Sequence, residues 1–328
     1  MVTVTGATGH IGNVLVRELL ARGQRVKALI PPFEDTVPLE GLDVEKVEGN
    51  VLDFESLVQA FEGSDVVYHL AGVVSIMPGK RDLLNEVNLV GTRNVVEACL
   101  RAGVRRLVYT SSIHAIAEPP PGVVIDETCP FDPESMTWEY DRSKARATLE
   151  VLRARGKGLD PVVLCPTGVI GPYDFKPSEM GQLVIGFARR SIKACIDGAY
   201  DFVDVRDVAV GHVLACEKGG TGESYILSGE RVTVQELMRM LEQATGIPSS
   251  RVRLPAWLAE SVAALAPFWA GLTGRRPLLT SYSVHTLRRN SFISQAKARR
   301  ELGYSSRPIS ESIADTVQWF KNTPRQAW

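Results

Sequence analysis

Residues 139–145 read EYDRSKA, with a tyrosine four positions before a lysine. On a helix those two side chains share a face, so Tyr140 and Lys144 are either a phenol acid with its ammonium helper or two solvated neighbours. A phenol ionises near pH ~10 and is a poor base at neutrality, and nearby positive charge is what brings the phenolate within reach. A second stretch with chemical potential is TGATGHIG (5–12), in which Gly6, Gly9 and Gly12 follow the apolar run VTVT and lead into NVLVRELLARG. Glycines at a strand–turn–helix junction let the backbone approach a pyrophosphate, while the helix N-terminus offers N–H groups and a positive dipole end. That position, after a first strand, favours dinucleotide binding over a plain turn.

The elements needed to hold these groups are written along the first half of the chain. Short β-rich runs at 2–6, 25–30, 44–49, 65–71, 106–112 and 160–166 alternate with helical stretches, the pattern of a parallel sheet covered on both faces. Gly23, Gly63, Gly103 and Gly156 each follow an apolar-periodic run where a left-handed helix cap belongs, and Asp53 stands as an N-cap before FESLVQAF. Past residue 170 a loop is expected, then a helix near 181–191, a β-like run at 200–205, and helical runs at 233–245, 256–272 and 310–321. The fold class is therefore α/β, a Rossmann-type doubly wound parallel sheet with a smaller, mixed C-terminal domain. Residues 1–171 and 197–229 are assigned to the dinucleotide domain, and 172–196 and 230–328 to the substrate domain.

Composition narrows the function. The 328 residues carry 37 basic and 38 acidic side chains, a net −1, which gives no footprint for nucleic acid or an anionic membrane. Five Arg-Arg pairs, such as Arg105-Arg106 and Arg299-Arg300, are scattered and are expected at solvated helix and loop ends. Cys99, Cys129, Cys165, Cys195 and Cys216 are odd in number and lack a C-x-x-C, against a disulfide framework or a zinc site. His10, His69, His114, His212 and His285 show no metal-ligand spacing, and no metal is expected. The apolar run at 255–272 is interrupted by Glu260 and Pro267 and is shorter than the ~20 residues of a bilayer span; a buried or pocket-covering helix is expected there. The N-terminus enters a strand pattern at once, without the charged start and apolar run of a signal peptide, so a cytoplasmic location is expected.

The spacing G-x-x-G-x-x-G, HLAG (69–72), NLVGTRNVVEA (88–98), VYTSS (108–112), YDRSK (140–144), PTGVIGP (166–172) and FVDVRDVA (202–209) occur in one order along nearly the whole chain. This series resembles the extended branch of the short-chain dehydrogenase/reductase superfamily, the NAD-dependent epimerase/dehydratase family. Its pattern is nearest to members like dihydroflavonol reductase and 3β-hydroxysteroid dehydrogenase. The resemblance implies Ser112, Tyr140 and Lys144 as the catalytic set. Tyr140 would exchange a proton with the substrate oxygen, Ser112 would orient that oxygen, with Ser111 as neighbouring candidate, and Lys144 would tune the phenol and bind the nicotinamide ribose. It further implies cofactor contacts from Gly6, Thr8, Gly9, His10, Ile11, Gly12, Asn50, Val51, Leu70, Ala71, Gly72, Tyr140, Lys144, Pro166, Thr167 and Val169. Asn88 is expected to secure the sheet.

At the end of strand two, Ile30 and Pro31 occupy the positions where the family usually carries its NAD-selecting acid and its NADP-selecting arginine. Acids at 34, 35, 40, 43 and 45, with no Lys or Arg between Lys27 and Lys46, would repel a further phosphate. NAD is expected, with NADP left open. Tyr200 stands where sugar-nucleotide enzymes of the family commonly carry a phosphate-binding arginine, and the segments 73–79, Trp138, Phe175 and 257–272 are apolar, suiting a small hydrophobic alcohol or ketone. A sugar-nucleotide epimerase or dehydratase, and a non-catalytic dinucleotide sensor, are the alternatives. A homodimer pairing the helices near 88–102 and 140–155 is expected by analogy.

Overall fold

The computed structural model describes residues 1–74, 79–120, 122–255, 257–264 and 280–323. Seven parallel strands form the central sheet. They are β1 (Val2–Thr5), β2 (Val26–Ile30), β3 (Glu45–Glu48), β4 (Val66–His69), β5 (Arg106–Thr110), β6 (Asp160–Pro166) and, after three strands that lie elsewhere, β10 (Ser224–Leu227), in the spatial order β10-β6-β5-β4-β1-β2-β3. The inner strands β1, β4 and β5 are buried along their whole length, as a sheet covered on both faces requires. Helices α1 (His10–Ala21) and α7 (Val205–Lys218) cover one face through Leu15, Leu19, Val208 and Val213. The other face is covered by α2 (Phe54–Phe61), α4 (Gly91–Arg101) and α5 (Glu139–Arg153), through Leu57, Phe61, Val95, Cys99 and Val151, and the short α3 (Arg81–Leu84) packs on α5. Strand order reverses between β1 and β4, and a crevice for ligands opens at the carboxyl ends of the strands on either side of such a reversal.

The second part is built on a small mixed sheet, in which β7 (Gly168–Ile170) pairs parallel and β11 (Glu230–Thr233) antiparallel with the central β9 (Ala199–Asp204). Three helices, α6 (Glu179–Ala188), α8 (Val234–Thr245) and α11 (Ile309–Asn322), bury Val184, Phe187, Leu237, Leu241, Ile313 and Phe320 against it. A two-residue pairing of β8 (Cys195–Ile196) with β12 (Arg253–Leu254) lies beside the helical stretch α9 at 257–264 and α10 (Ser281–Arg288). Among the described residues no helix is long and apolar enough to cross a membrane.

All six strands expected in the first half are present, and Asp53 caps α2 by accepting from Ser56 N–H. Gly23, Gly63 and Gly103 take the expected positive φ, but Gly156 does not. The helix runs on through a tighter turn at Ala154–Lys157, and Gly158 takes the left-handed role at φ 94°. Two arginines depart from the expected solvated placement. Arg106 is buried and donates to the carbonyls of Cys216 and Gly219, and Arg289 is half-buried in the second part, paired with Glu118 and Asp141. Residues 75–78 and 265–272 of the expected pocket segments lie outside the described residues.

Candidate active site

The glycine turn is fixed by contacts that tolerate no side chain. Gly6 adopts φ 68°, and a Cβ on it would lie 2.6 Å from Ala71 N. A Cβ on Gly12 would lie 2.0 Å from the Gly6 carbonyl oxygen. The first turn of α1 is therefore drawn onto the glycine loop, leaving a bare backbone cradle at the switch point. Such a cradle fits a dinucleotide pyrophosphate, which needs close backbone approach and the N–H groups of a helix start. Gly9 is the N-cap of α1, with its φ at −71°. His10 Nε2 donates to the Pro172 carbonyl, 3.0 Å away, and Ile11 is half-buried beside it. Since a carbonyl only accepts, His10 Nε2 carries the proton. Thr8 donates to Glu34, which is also paired with Lys176. The local stretch after β2 thus receives a cation from residue 176 that sequence proximity could not show.

Along the rest of the crevice, Leu70, Ala71 and Gly72 follow β4 beside Gly6. Val51 packs against Gly91. Asn50 Oδ1 accepts from Leu52 N–H at 3.0 Å, which closes its own turn and uses one of two lone pairs. Pro166 ends β6 and Val169 lies in β7. Between them Thr167 donates to buried Asp201 at 2.6 Å. Asn88 holds the loop after β4 rather than the strands, because its amide brackets Val73 N–H and C=O and donates to Ser143 on α5.

Tyr140 and Lys144 sit one turn apart on α5 and both are buried, so the solvated reading of the pair does not hold. Burial pushes the Tyr140 phenol up to about 12, with the Ser112 hydroxyl pulling the other way. Burial also brings the Lys144 ammonium down to about 7. Lys144 Nζ donates to Tyr109 Oη at 3.0 Å and to the Thr110 carbonyl at 2.7 Å, and lies 4.6 Å from the Tyr109 ring centroid. Among the described residues no hydrogen bond joins it to Tyr140 directly. Ser111 turns away, bonding Thr148, which in turn donates to the Lys144 carbonyl. Ser112 is the serine that faces Tyr140.

Two polar networks that sequence spacing did not announce surround this pair. Behind Lys144, the Ala71 N–H donates to Thr5 Oγ1, Thr5 contacts His69 Nδ1, and His69 Nε2 contacts Thr92. The fully buried His69 is thereby held neutral, its imidazole driven down to about 3 by burial. In front of Tyr140, the buried Asp141 accepts from Tyr282 at 2.8 Å and from Arg289 at 3.0 Å. Arg289 also donates to Glu118 at 2.8 Å and reaches His114 Nδ1 at 3.3 Å, while Tyr200 Oη lies 2.7 Å from His114 Nε2. Burial works against the Arg289 charge, but Glu118 and Asp141 outweigh it. Asp141 itself is raised to about 6 by burial, against the pull of Tyr282 and Arg289. Rings of Trp138, Tyr282, His114 and Tyr200 close round this cluster at centroid spacings of 5.2 to 5.8 Å. A cavity of about 520 Å³ opens beside it, bounded by Glu118, Trp138, Val284, His285 and Arg289. Phe175 lies elsewhere, packed edge-on against Trp319. Among the described residues no group of His, Cys, Asp or Glu could hold a metal.

A doubly wound sheet with this glycine turn, and a Tyr-x-x-x-Lys helix packed against the end of β5, defines an enzyme, a dehydrogenase or reductase of the extended short-chain type. A profile of the NAD dependent epimerase/dehydratase family matches residues 2–228, and the chain belongs to that family, with NAD as its cofactor. It is 39% identical over 322 residues to sterol demethylase protein B of Methylococcus capsulatus, covering 97% of both chains. It is 34% identical over 323 residues to a Synechocystis protein provisionally named dihydroflavonol 4-reductase, covering 97% of this chain and 94% of that one. The crystal structure of gox2253 superposes with a TM-score of 0.87 at 34% identity, over 100% of this chain and 99% of the other.

Proposed function

We propose that the protein moves a hydride between NAD and a secondary alcohol or ketone on a small, largely apolar substrate. Residues 1–171 and 197–229 hold the dinucleotide and the remainder holds the substrate. Bound NAD supplies the hydride acceptor, and its reduced form the donor. In the reducing direction Tyr140 gives its phenolic proton to the substrate oxygen as that carbon receives the hydride, and in the oxidising direction the phenolate takes the hydroxyl proton back. Ser112 hydrogen-bonds the same oxygen and orients it. A phenol raised by burial remains protonated at neutral pH, which suits donation. Lys144 is anchored by Tyr109 and Thr110, so its amino group is held at a fixed place one helical turn from Tyr140, where it serves the ribose. The backbone around Gly6, Gly9 and Gly12 receives the pyrophosphate.

The observation that carries the choice of substrate is the state of Arg289. Tyr200 replaces the strand arginine of sugar-nucleotide enzymes, and the guanidinium that does reach this place is already bound by Asp141, Glu118 and His114. A diphosphate would have to displace two carboxylates or be desolvated beside them, and charge pairs that are partly buried give up such partners at several kcal/mol, about 3–5. The aromatic rings around Tyr140 offer instead a flat, apolar wall. Similarity to a protein named for sterol demethylation supports an apolar substrate. The test is absorbance of the reduced nicotinamide against a panel of sterols, flavonoids, small aldehydes and sugar nucleotides. Turnover of apolar ketones or alcohols is expected, and turnover confined to sugar nucleotides contradicts the proposal. A homodimer through α4 and α5, which lie side by side on one face of the sheet, belongs to the same reading. Sedimentation as a monomer at micromolar concentration would contradict it.

A further inference from the structure

We infer that Tyr200 is a specificity-determining residue whose hydroxyl proton is reserved for a second, neutral oxygen of the substrate, next to the carbon that Tyr140 serves. The inference rests on the proposed apolar ketone or alcohol substrate and narrows it to one carrying an adjacent ether, hydroxyl or carbonyl oxygen.

Arginine has donors and no acceptor, so the 3.3 Å contact from Arg289 Nη1 to His114 Nδ1 requires a lone pair on Nδ1. Burial and the Arg289 charge keep the imidazole neutral, so its single proton is on Nε2. Nε2–H then donates to Tyr200 Oη, 2.7 Å away. Had the ring taken the other tautomer, Tyr200 would spend its proton on histidine; with Arg289 in place it cannot. Among the described residues His114 is the sole hydrogen-bond partner of the Tyr200 hydroxyl, so its own proton has no acceptor. Burial raises its pKa, the Arg289 charge opposes this without outweighing it, and Asp201, Asp141 and Tyr140 add to the rise, so the group stays a phenol.

Position makes that proton relevant. The Tyr200 ring stacks on His114 at 5.8 Å and 9°, and the Tyr140 ring stands 6.4 Å from the same imidazole at 67°. Both phenols therefore pack against one imidazole, and the Tyr140 hydroxyl is near enough to act electrostatically on Tyr200. Asp141 and Glu118 lie close on Arg289, so a neutral acceptor is favoured over an anionic one. A buried donor left without an acceptor disfavours ligands that lack one, which makes such a group selective.

Two measurements test this. In protein labelled with ¹⁵N at histidine, the His114 ring should show a protonated Nε2 and a bare Nδ1 at pH 7; a protonated Nδ1 overturns the inference without any variant. The second compares 2-methoxycyclohexanone with its isostere 2-ethylcyclohexanone, titrated into NAD-loaded protein, where neither is reduced, and followed by shifts of the His114 ring. The ether should bind about fivefold more tightly, and Tyr200→Phe should remove that preference while leaving NAD affinity unchanged. Equal binding of the two ketones to the unaltered protein, or a preference that survives Tyr200→Phe, overturns the inference and leaves the proposed function standing. Binding of neither ketone overturns both.

Discussion

Replacing Gly12 by alanine tests the cofactor cradle. The added Cβ would lie 2.0 Å from the Gly6 carbonyl oxygen and 2.8 Å from its carbon, all of it backbone, so no side chain can swing aside. Restoring ordinary contact moves the start of α1 away from the turn by roughly 1 Å, a displacement that costs about 10²-fold where groups must converge on a ligand. The same figure comes from energies, since two charge-assisted backbone hydrogen bonds to the pyrophosphate weakened by ~1.5 kcal/mol each amount to about 3 kcal/mol. The change also overpacks the junction, for about 1–3 kcal/mol of stability. Gly23→Ala is the matched control. Gly23 has φ 73° with nothing within 4 Å of its Cβ position, so it should lose about 1 kcal/mol of stability through backbone strain and bind NAD normally. Calorimetric titration with NAD, alongside urea unfolding, separates the two. An unchanged NAD affinity in folded Gly12→Ala would refute the assignment of the pyrophosphate to this turn.

Other outcomes follow from the same structure. Glu34 accepts from Thr8 at the glycine turn and is paired with Lys176, so NADP should bind more weakly than NAD and Glu34→Gln should narrow the gap; tighter NADP binding to the unaltered protein would contradict this. Arg289→Met strands the buried Asp141 without its cation, and at pH 8 this should cost about 3 kcal/mol in urea unfolding. Because burial already raises Asp141 to about 6, its carboxyl can take a proton below that value, and the cost should shrink at pH 5. Burial lowers His69 and His114 to about 3 and His212 to about 4, so their ring signals should not titrate between pH 7 and 5. Each thereby contributes stability present above the ordinary histidine value near ~6.5 and lost as pH falls toward the folded one. A midpoint near 6.5 for any of the three would contradict its burial as a neutral ring.

The parts of the molecule legible from sequence are those fixed by short-range rules. The six strands of the first half, the glycine turn and the Tyr140–Lys144 helix face follow from apolar runs, periodicity and what glycine alone permits. β7, of three residues, is too short for a period to show, and β11, ERVT, is polar at three of its four positions; both pair with β9. Gly156 illustrates a local rule overridden, since one further tight turn moved the left-handed position to Gly158. The substrate side was largely hidden. Arg289 stands 148 positions from Asp141 and 171 from Glu118, and nothing in an Arg-Arg pair says that one member turns inward between two carboxylates. His69 was visible within HLAG, but its role as a neutral link between Thr5 and Thr92 depends on strands β1 and β4 being neighbours.

The central claim is that the Tyr140 phenol carries the proton that accompanies hydride movement. Its most direct measurement is single-turnover absorbance of the reduced nicotinamide in Tyr140→Phe, with the ketone that the unaltered protein reduces fastest, beside calorimetric titration of NAD. Loss of a general acid predicts a rate lower by at least about 10²-fold with NAD affinity within twofold, or about 0.4 kcal/mol. A variant that transfers hydride at the original rate would contradict the account.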